Sequence, residues 1–261
     1  MSVPRDIQDF FSAQPWTQNY WRCQMVYRNI NQLQDFEHHY EFARWIIRES
    51  GWPYFPIELP NAPYKEMYKE AKGLYNDNMF VMHREANVED ADYYKSEHYR
   101  EKTHRGWGAC TLYGRAWNAT GHDETFDGYD WCPEVVERCP ITYKYFKEEF
   151  PETPDGRIRF MLVDRGGYIQ PHNDRTEPGL LSPINIALNN PEGCEFRMRH
   201  KGYVPFGKGG TACYVDIGNV HSVWNRSSLP RFHIIAHGKP KPEMSNVILN
   251  SLRKLIGGKY D

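Results

Sequence analysis

His172 and Asp174 stand two residues apart in the run Gly-Gly-Tyr-Ile-Gln-Pro-His-Asn-Asp-Arg (166–175), and a second histidine, His221, follows far downstream. On an extended chain, side chains two residues apart point the same way, so His172 and Asp174 can reach one ion from one strand edge. Two imidazoles and one carboxylate can bind one face of an Fe(II) ion and leave the opposite positions open. Arg231 lies ten residues after His221. An arginine there can clamp a dicarboxylate through two parallel N–H···O bonds, and leaving that far carboxylate unpaired inside a protein would be costly. Together these four residues suggest an iron site that uses 2-oxoglutarate and O2.

His221 must reach the ion from a different strand. It sits in Asp-Ile-Gly-Asn-Val-His-Ser-Val-Trp (216–224), where Gly218-Asn219 reads as a turn and Val-His-Ser-Val as a strand start. Arg231 opens Arg-Phe-His-Ile-Ile-Ala (231–236), a strand by composition. Were 221–223 and 231–236 neighbouring strands, Arg231 would point into the same interior as His221. His233 and His237 share strand parity with Arg231, so they compete for interior roles.

The supporting elements follow from periodicity. Further β runs are read at 107–112, 158–163, 184–189, 195–199 and 211–215, the run at 158–163 being closed by the turn Asp-Arg-Gly-Gly (164–167). Short strands separated by Gly, Pro and Asn clusters suggest a sandwich or barrel. Apolar residues three and four apart predict helices over 31–50, 64–75 and 243–255. Residues 133–150 also read as helical, interrupted at Pro140, and the polar stretch 78–104 reads as a loop or flap. The expectation is one domain over 1–261. Residues 1–105 form a mainly helical part, 106–240 a β core, and 241–261 a closing helix.

Composition narrows the class. The chain has 261 residues, 40% hydrophobic and 25% charged, with 32 basic against 34 acidic residues and a formal net charge of −2. That is an ordinary globular composition with no global pull toward nucleic acid or an anionic membrane, so neither partner is expected. No apolar run approaches the roughly 20 residues needed to cross a bilayer, and the first residues carry no apolar signal core. The six cysteines form no C-x-x-C pair, which fits a reducing, cytoplasmic setting. The basic run Arg197-Met-Arg-His-Lys201 reads as a solvated strand and turn or as a contact for an anionic substrate.

The segment 161–240 resembles the aspartyl/asparaginyl β-hydroxylase family of Fe(II)/2-oxoglutarate oxygenases. Pro171-His172, Pro-Glu-Gly-Cys-Glu-Phe-Arg (191–197), His-Ser-Val-Trp-Asn (221–225) and Arg231 carry the resemblance. It implies a double-stranded β-helix, or jelly roll, mainly β with flanking helices. It also implies His172 and His221 as iron ligands and Arg231 as the anchor of 2-oxoglutarate. The implied reaction is hydroxylation of an amino acid or peptidyl residue by O2, with release of succinate and CO2. Asp174 departs from the peptide-modifying members, which bind iron with histidines only. It resembles instead the related free-proline hydroxylases, whose motif is Pro-His-x-Asp. The polar residues that assist 2-oxoglutarate in the family fall near Ser182 and Ile184 here, and Asn185 is the nearest substitute. Two rival readings stand beside this one. One is a zinc hydrolase using the same His, Asp and His. The other is a jelly roll that binds a small molecule without catalysis.

Overall fold

The structure, a computed structural model, describes residues 53–82, 104–119, 127–174 and 183–256. The expected helix over 31–50 lies outside the described residues. The elements in chain order are β1 (Tyr54–Ile57), α1 (Tyr64–Asn76), β2 (Val81–Met82), β3 (His104–Gly114), β4 (Asp130–Trp131), α2 (Pro133–Val136) and α3 (Pro140–Lys144). A π-helical turn, Tyr145–Glu149, follows. Then come β5 (Glu152–His172), β6 (Ile184–Ala187), β7 (Cys194–Met198), β8 (Gly202–Tyr203), β9 (Thr211–Val215), β10 (His221–Asn225), β11 (Arg231–Pro240) and α4 (Met244–Ile256).

One rolled antiparallel sheet carries the site, in the order β1-β9-β6-β11-β5-β10-β7-β8. It is a jelly roll with helices packed on one face. β5 makes the roll possible. Its first half pairs with β11, Val163 facing Arg231, and its last residues pair with β10, His172 facing His221. β10 and β11 are therefore not neighbours, as the sequence reading had supposed. Each pairs with a different half of β5. The Asp-Arg-Gly-Gly run, read above as a turn closing the strand, is instead a bend within it. Gly166 has φ +65°, and β3 on the other side bends at the same level through Gly106 at φ +60°. A Cβ on Gly167 would lie 2.7 Å from the Asp164 carbonyl oxygen and 2.8 Å from that of Arg105. Only glycine lets the two bent backbones approach this closely.

Alternation along β5 divides its two faces. Ile158, Phe160 and Leu162 pack against the helical layer, where Met67, Ala71 and Leu74 of α1 supply an apolar stripe at helical spacing. Arg159, Met161 and Val163 face the barrel cavity. A second core, including Val163, Ile169, Phe196, Met198, Phe206 and Val223, fills the barrel. Pro140 interrupts the helical stretch because it starts α3: its missing N–H is one that a first helical residue has no partner for. The next N–H groups of that helix, from Ile141 and Thr142, donate to the Glu70 carboxylate of α1 at 2.9 Å each. α4 buries Met244, Val247 and Ile248.

Glu152 begins β5 in the core at 3% exposure, and Tyr214 Oη–H donates to its Oε1 at 2.6 Å. Burial pushes its carboxyl up to about 8, against the opposing pull of the Tyr214 bond. Between its unfolded value of 4.5 and about 8, the folded carboxyl keeps a proton that the unfolded one has lost. Stability therefore falls as pH rises through that window. Glu152→Gln keeps the acceptor and removes the titration. From about pH 5 to about pH 9, the wild-type Tm should drop roughly 5–10 °C more than that of the variant, a few kcal/mol at about 2–4 °C each. Thermal melts in matched buffers read this directly, and parallel pH profiles would show that Glu152 is not the titrating group.

Candidate active site

The end of β5, the residue two beyond it and the start of β10 meet at the rim of the barrel. His172 and His221 are paired across the two strands with ring centroids 4.4 Å apart. Asp174 reaches back between them: its Oδ1 is 3.5 Å from His172 Nε2 and its Oδ2 is 3.7 Å from His221 Nε2. A backbone bond from Asp174 N–H to the Ile217 carbonyl (3.0 Å) holds it there.

Both imidazoles are oriented from behind. His172 Nδ1–H donates to the Gln170 carbonyl at 2.7 Å and His221 Nδ1–H to the Asn219 carbonyl at 2.9 Å. Each bond orients its ring so that Nε2 faces Asp174. Burial lowers the His221 pKa to about 4, helped by neighbouring His172 and opposed by Asp174 and the Asn219 bond. The ring is neutral, the state a metal requires. One ligand atom from each of the three residues lies within 4.8 Å of the others, a group that could hold a metal ion. Ligand bonds of about 2.0–2.2 Å at right angles bring donor atoms to roughly 3 Å separation, so the donor set fits an ion after a small contraction. Asp174 is 44% exposed on its side chain, whereas the two rings are 9% and 6% exposed, so the site is open on the carboxylate side.

Deeper in the barrel lies a cavity of about 250 Å³ that the three residues share with Arg231, Asn185 and His233. Arg231 is 4% exposed, and burial pulls its pKa down to about 10. Its Nη2 is 3.1 Å from His233 Nδ1 and its Nε–H donates to Asn190 Oδ1 at 3.3 Å. Among the described residues no carboxylate pairs with it. A buried guanidinium held only by neutral groups is stabilised by an anion, and 2-oxoglutarate brings one. Asn185 Oδ1 sits 2.5 Å from His233 Nδ1, and His233 Nε2 is buried with no hydrogen-bond partner.

The cavity takes Asn185, the substitute named from the sequence, and residues that reading passed over. Pro183 and Asn185 line it, whereas Ile184 is in the apolar core on the other face; Ser182 lies outside the described residues. Arg159 lines it too, and β alternation from Val163 would have placed it there. His104, at the start of β3, accepts the Gln170 N–H at 3.2 Å, and its ring lies edge-on to His172 at 5.7 Å. It falls at the end of the stretch read as a loop, where no periodicity marks it.

The family model of the aspartyl/asparaginyl β-hydroxylases matches residues 67–239, about two thirds of the chain. The chain belongs to that family. It is an Fe(II)- and 2-oxoglutarate-dependent oxygenase whose cofactors are Fe(II), 2-oxoglutarate and O2, and the His-Asp-His cluster at the barrel rim suits that assignment. No curated protein matches it. Among solved structures it is similar to a prolyl-4-hydroxylase of Pseudomonas putida, at 12% identity over 72% of this chain and 93% of that one, TM-score 0.40. A Trichoplax adhaerens prolyl hydroxylase in complex with a hypoxia inducible factor peptide fragment matches at 14% identity over 86% and 94%, TM-score 0.40. A viral collagen prolyl hydroxylase from Paramecium Bursaria Chlorella virus-1 matches at 14% over 71% and 95%, TM-score 0.35. No helix among the described residues is long and apolar enough to cross a membrane.

The asparagine of His-Ser-Val-Trp-Asn ties this hydroxylase's two halves together. Asn225 is 1% exposed, and its Nδ2 donates to the carbonyls of Val163 (2.8 Å), Asp164 (3.1 Å) and Leu229 (2.8 Å). Its Oδ1 accepts from Cys194 Sγ, Ser227 N and Ser227 Oγ at 3.1, 3.0 and 2.6 Å. One side chain thus joins the bend of β5, the end of β10 and the loop that delivers Arg231. Asn225→Ala leaves buried carbonyls without donors and should destabilise the fold by about 2–4 kcal/mol. Denaturant titration measures this; a loss under 1 kcal/mol would mean that water or backbone shifts replace the amide.

Proposed function

We propose that this oxygenase hydroxylates an amino acid or a peptidyl residue, with His172, Asp174 and His221 holding Fe(II) and Arg231 holding the far carboxylate of 2-oxoglutarate. We also infer a single domain over the whole chain and a cytoplasmic setting. One observation carries the reading: two imidazole Nε2 atoms and a carboxylate converge at the mouth of a cavity that contains a buried guanidinium with no acidic partner among the described residues.

With Fe(II) and 2-oxoglutarate bound, the site would reduce O2, the oxidant: two electrons come from 2-oxoglutarate as it loses CO2 to become succinate, and two from a substrate C–H bond, which takes up one oxygen atom. The chain's own residues do the rest. The Gln170 and Asn219 carbonyls keep the two Nε2 lone pairs aimed at one point. Asp174 balances part of the metal's charge. Arg231 sets the depth of the cosubstrate, and Phe206 and Phe196 keep water from that end of the barrel. His233 Nδ1 lies against both Asn185 and Arg231 and can serve only one of them. An anion on Arg231 releases His233 to donate to Asn185 Oδ1. Among the described residues Asp174 is the one acidic residue lining this cavity, so a zinc hydrolase would find no second carboxylate among them to act as a general base. The test is a turnover screen with Fe(II) and 2-oxoglutarate over free amino acids and peptides, read by mass spectrometry. Succinate formation coupled to a gain of one oxygen atom on one candidate supports the reading. Cleavage of a candidate by addition of water, with no succinate formed, would replace it with the hydrolase.

A further inference from the structure

The other face of the same strands carries a second concavity. β7 alternates: Phe196 and Met198 are buried in the barrel core, so Glu195 and Arg197 face outward. Directly across on β10 stand Trp224, opposite Glu195, and Ser222, opposite Arg197, so these four share one face. With Arg199 and Arg226 they line a groove of about 550 Å³, more than twice the barrel cavity. The groove is not separate from the chemistry, because His172 and His221 line both spaces and form the wall between them.

Its charge is one-sided. Among the described residues Arg197, Arg199 and Arg226 meet a single lining carboxylate, Glu195, and Arg226 Nη1 already holds it at 3.0 Å. Arg197 and Arg199 are exposed and have no acidic partner among the described residues. In a chain of net charge −2 this is a local concentration of positive charge, at the basic run the sequence had singled out. Two guanidinium forks of this kind suit carboxylates. The aromatic ring of the groove is already engaged: Trp224 stacks on Tyr168 at 5.0 Å and 28°, and Arg226 lies over it at 5.6 Å. A groove for single-stranded nucleic acid offers ring faces for bases to stack on, and Trp224 is already taken, so these observations favour an acidic peptide over a single strand.

We propose that this groove docks an acidic peptide segment beside the residue to be hydroxylated, with Arg197 and Arg199 reading its carboxylates. The proposal rests on the oxygenase reading of the adjoining site for its purpose, though not for the binding itself. The test is fluorescence anisotropy on the full chain loaded with Fe(II) and 2-oxoglutarate under nitrogen. The probes are labelled decapeptides, one of alternating Asp and Ser, one of Gly and Ser. The acidic peptide should bind about 5- to 10-fold more tightly, as expected for two charge-assisted pairs in a partly shielded groove, and should weaken as salt rises. Arg197→Glu with Arg199→Glu should erase or reverse that preference. Asp174→Ala should lose succinate formation yet keep the preference, which separates failure of the docking groove from failure of the iron site. Equal binding of the two peptides by the wild-type protein would overturn the proposal. So would an oligodeoxythymidylate of ten nucleotides displacing the acidic peptide at lower concentration.

Discussion

His221→Ala should lose Fe(II)-dependent succinate formation entirely, the largest effect expected of any single change in this chain. The variant removes one of three converging donors and leaves a cavity at the rim of the barrel. Groups one bond further from a metal already cost about 10–100-fold in affinity or activity when mutated, so loss of a direct ligand should exceed that. The fold should survive. The His221 ring is neutral and its polar tie is one bond to the Asn219 carbonyl, so the stability loss should stay within about 1–3 kcal/mol. Succinate assays paired with thermal melts separate the two effects. Turnover within tenfold of wild type in a folded variant would remove His221 from the ligand set.

Arg231→Met should produce the second largest effect, and of a different kind. Breaking a buried charge pair costs about 2–5 kcal/mol, so the 2-oxoglutarate KM should rise from roughly 30-fold to over a thousandfold. Stability without cosubstrate should move the other way or not at all. In the wild type the guanidinium is buried against neutral groups, and replacing a charge so placed with an apolar side chain of similar length relieves its desolvation. Adding 2-oxoglutarate at about 100 times its Kd should stabilise the wild type by about 2.7 kcal/mol and leave the variant unmoved. An unchanged KM would pass the anchoring role to another cation of the cavity, Arg159 being the nearest in kind.

How far these residues were legible depended on whether their signals were local. Thr211–Val215 is a strand with the bounds its composition predicts, and Arg231 stands out because period-two alternation puts it on the cavity face with His233. The same rule put Asn185 rather than Ile184 in the cavity. Asp174 lies two residues past the end of β5, so its place beside His172 comes from its backbone bond to Ile217 and not from alternation along a strand. Gly166-Gly167 misled because a Gly pair marks both a reversal and a bend. Which one it is depends on Gly106, some sixty residues earlier, bending β3 at the same level. β1 went unread for a related reason. Pro56 argues against a strand, yet among the described strands β1 pairs with β9 alone, at an edge where a missing N–H is tolerated. The pairing of β10 and β11 with separate halves of β5 follows from the bend, so missing one meant missing the other.

The double use of β5 also bears on when the protein can acquire its metal during synthesis. All three proposed iron ligands have left the ribosome once residue 221 has, but β11, which covers the first half of β5 and carries Arg231, emerges only afterwards. Until then the nascent chain has its donor atoms on an unclosed roll, with one long edge bare and no anion clamp. Iron should therefore bind weakly until β11 has closed the roll. A chain truncated between residues 225 and 231 would carry all three proposed ligands and should still bind the ion poorly.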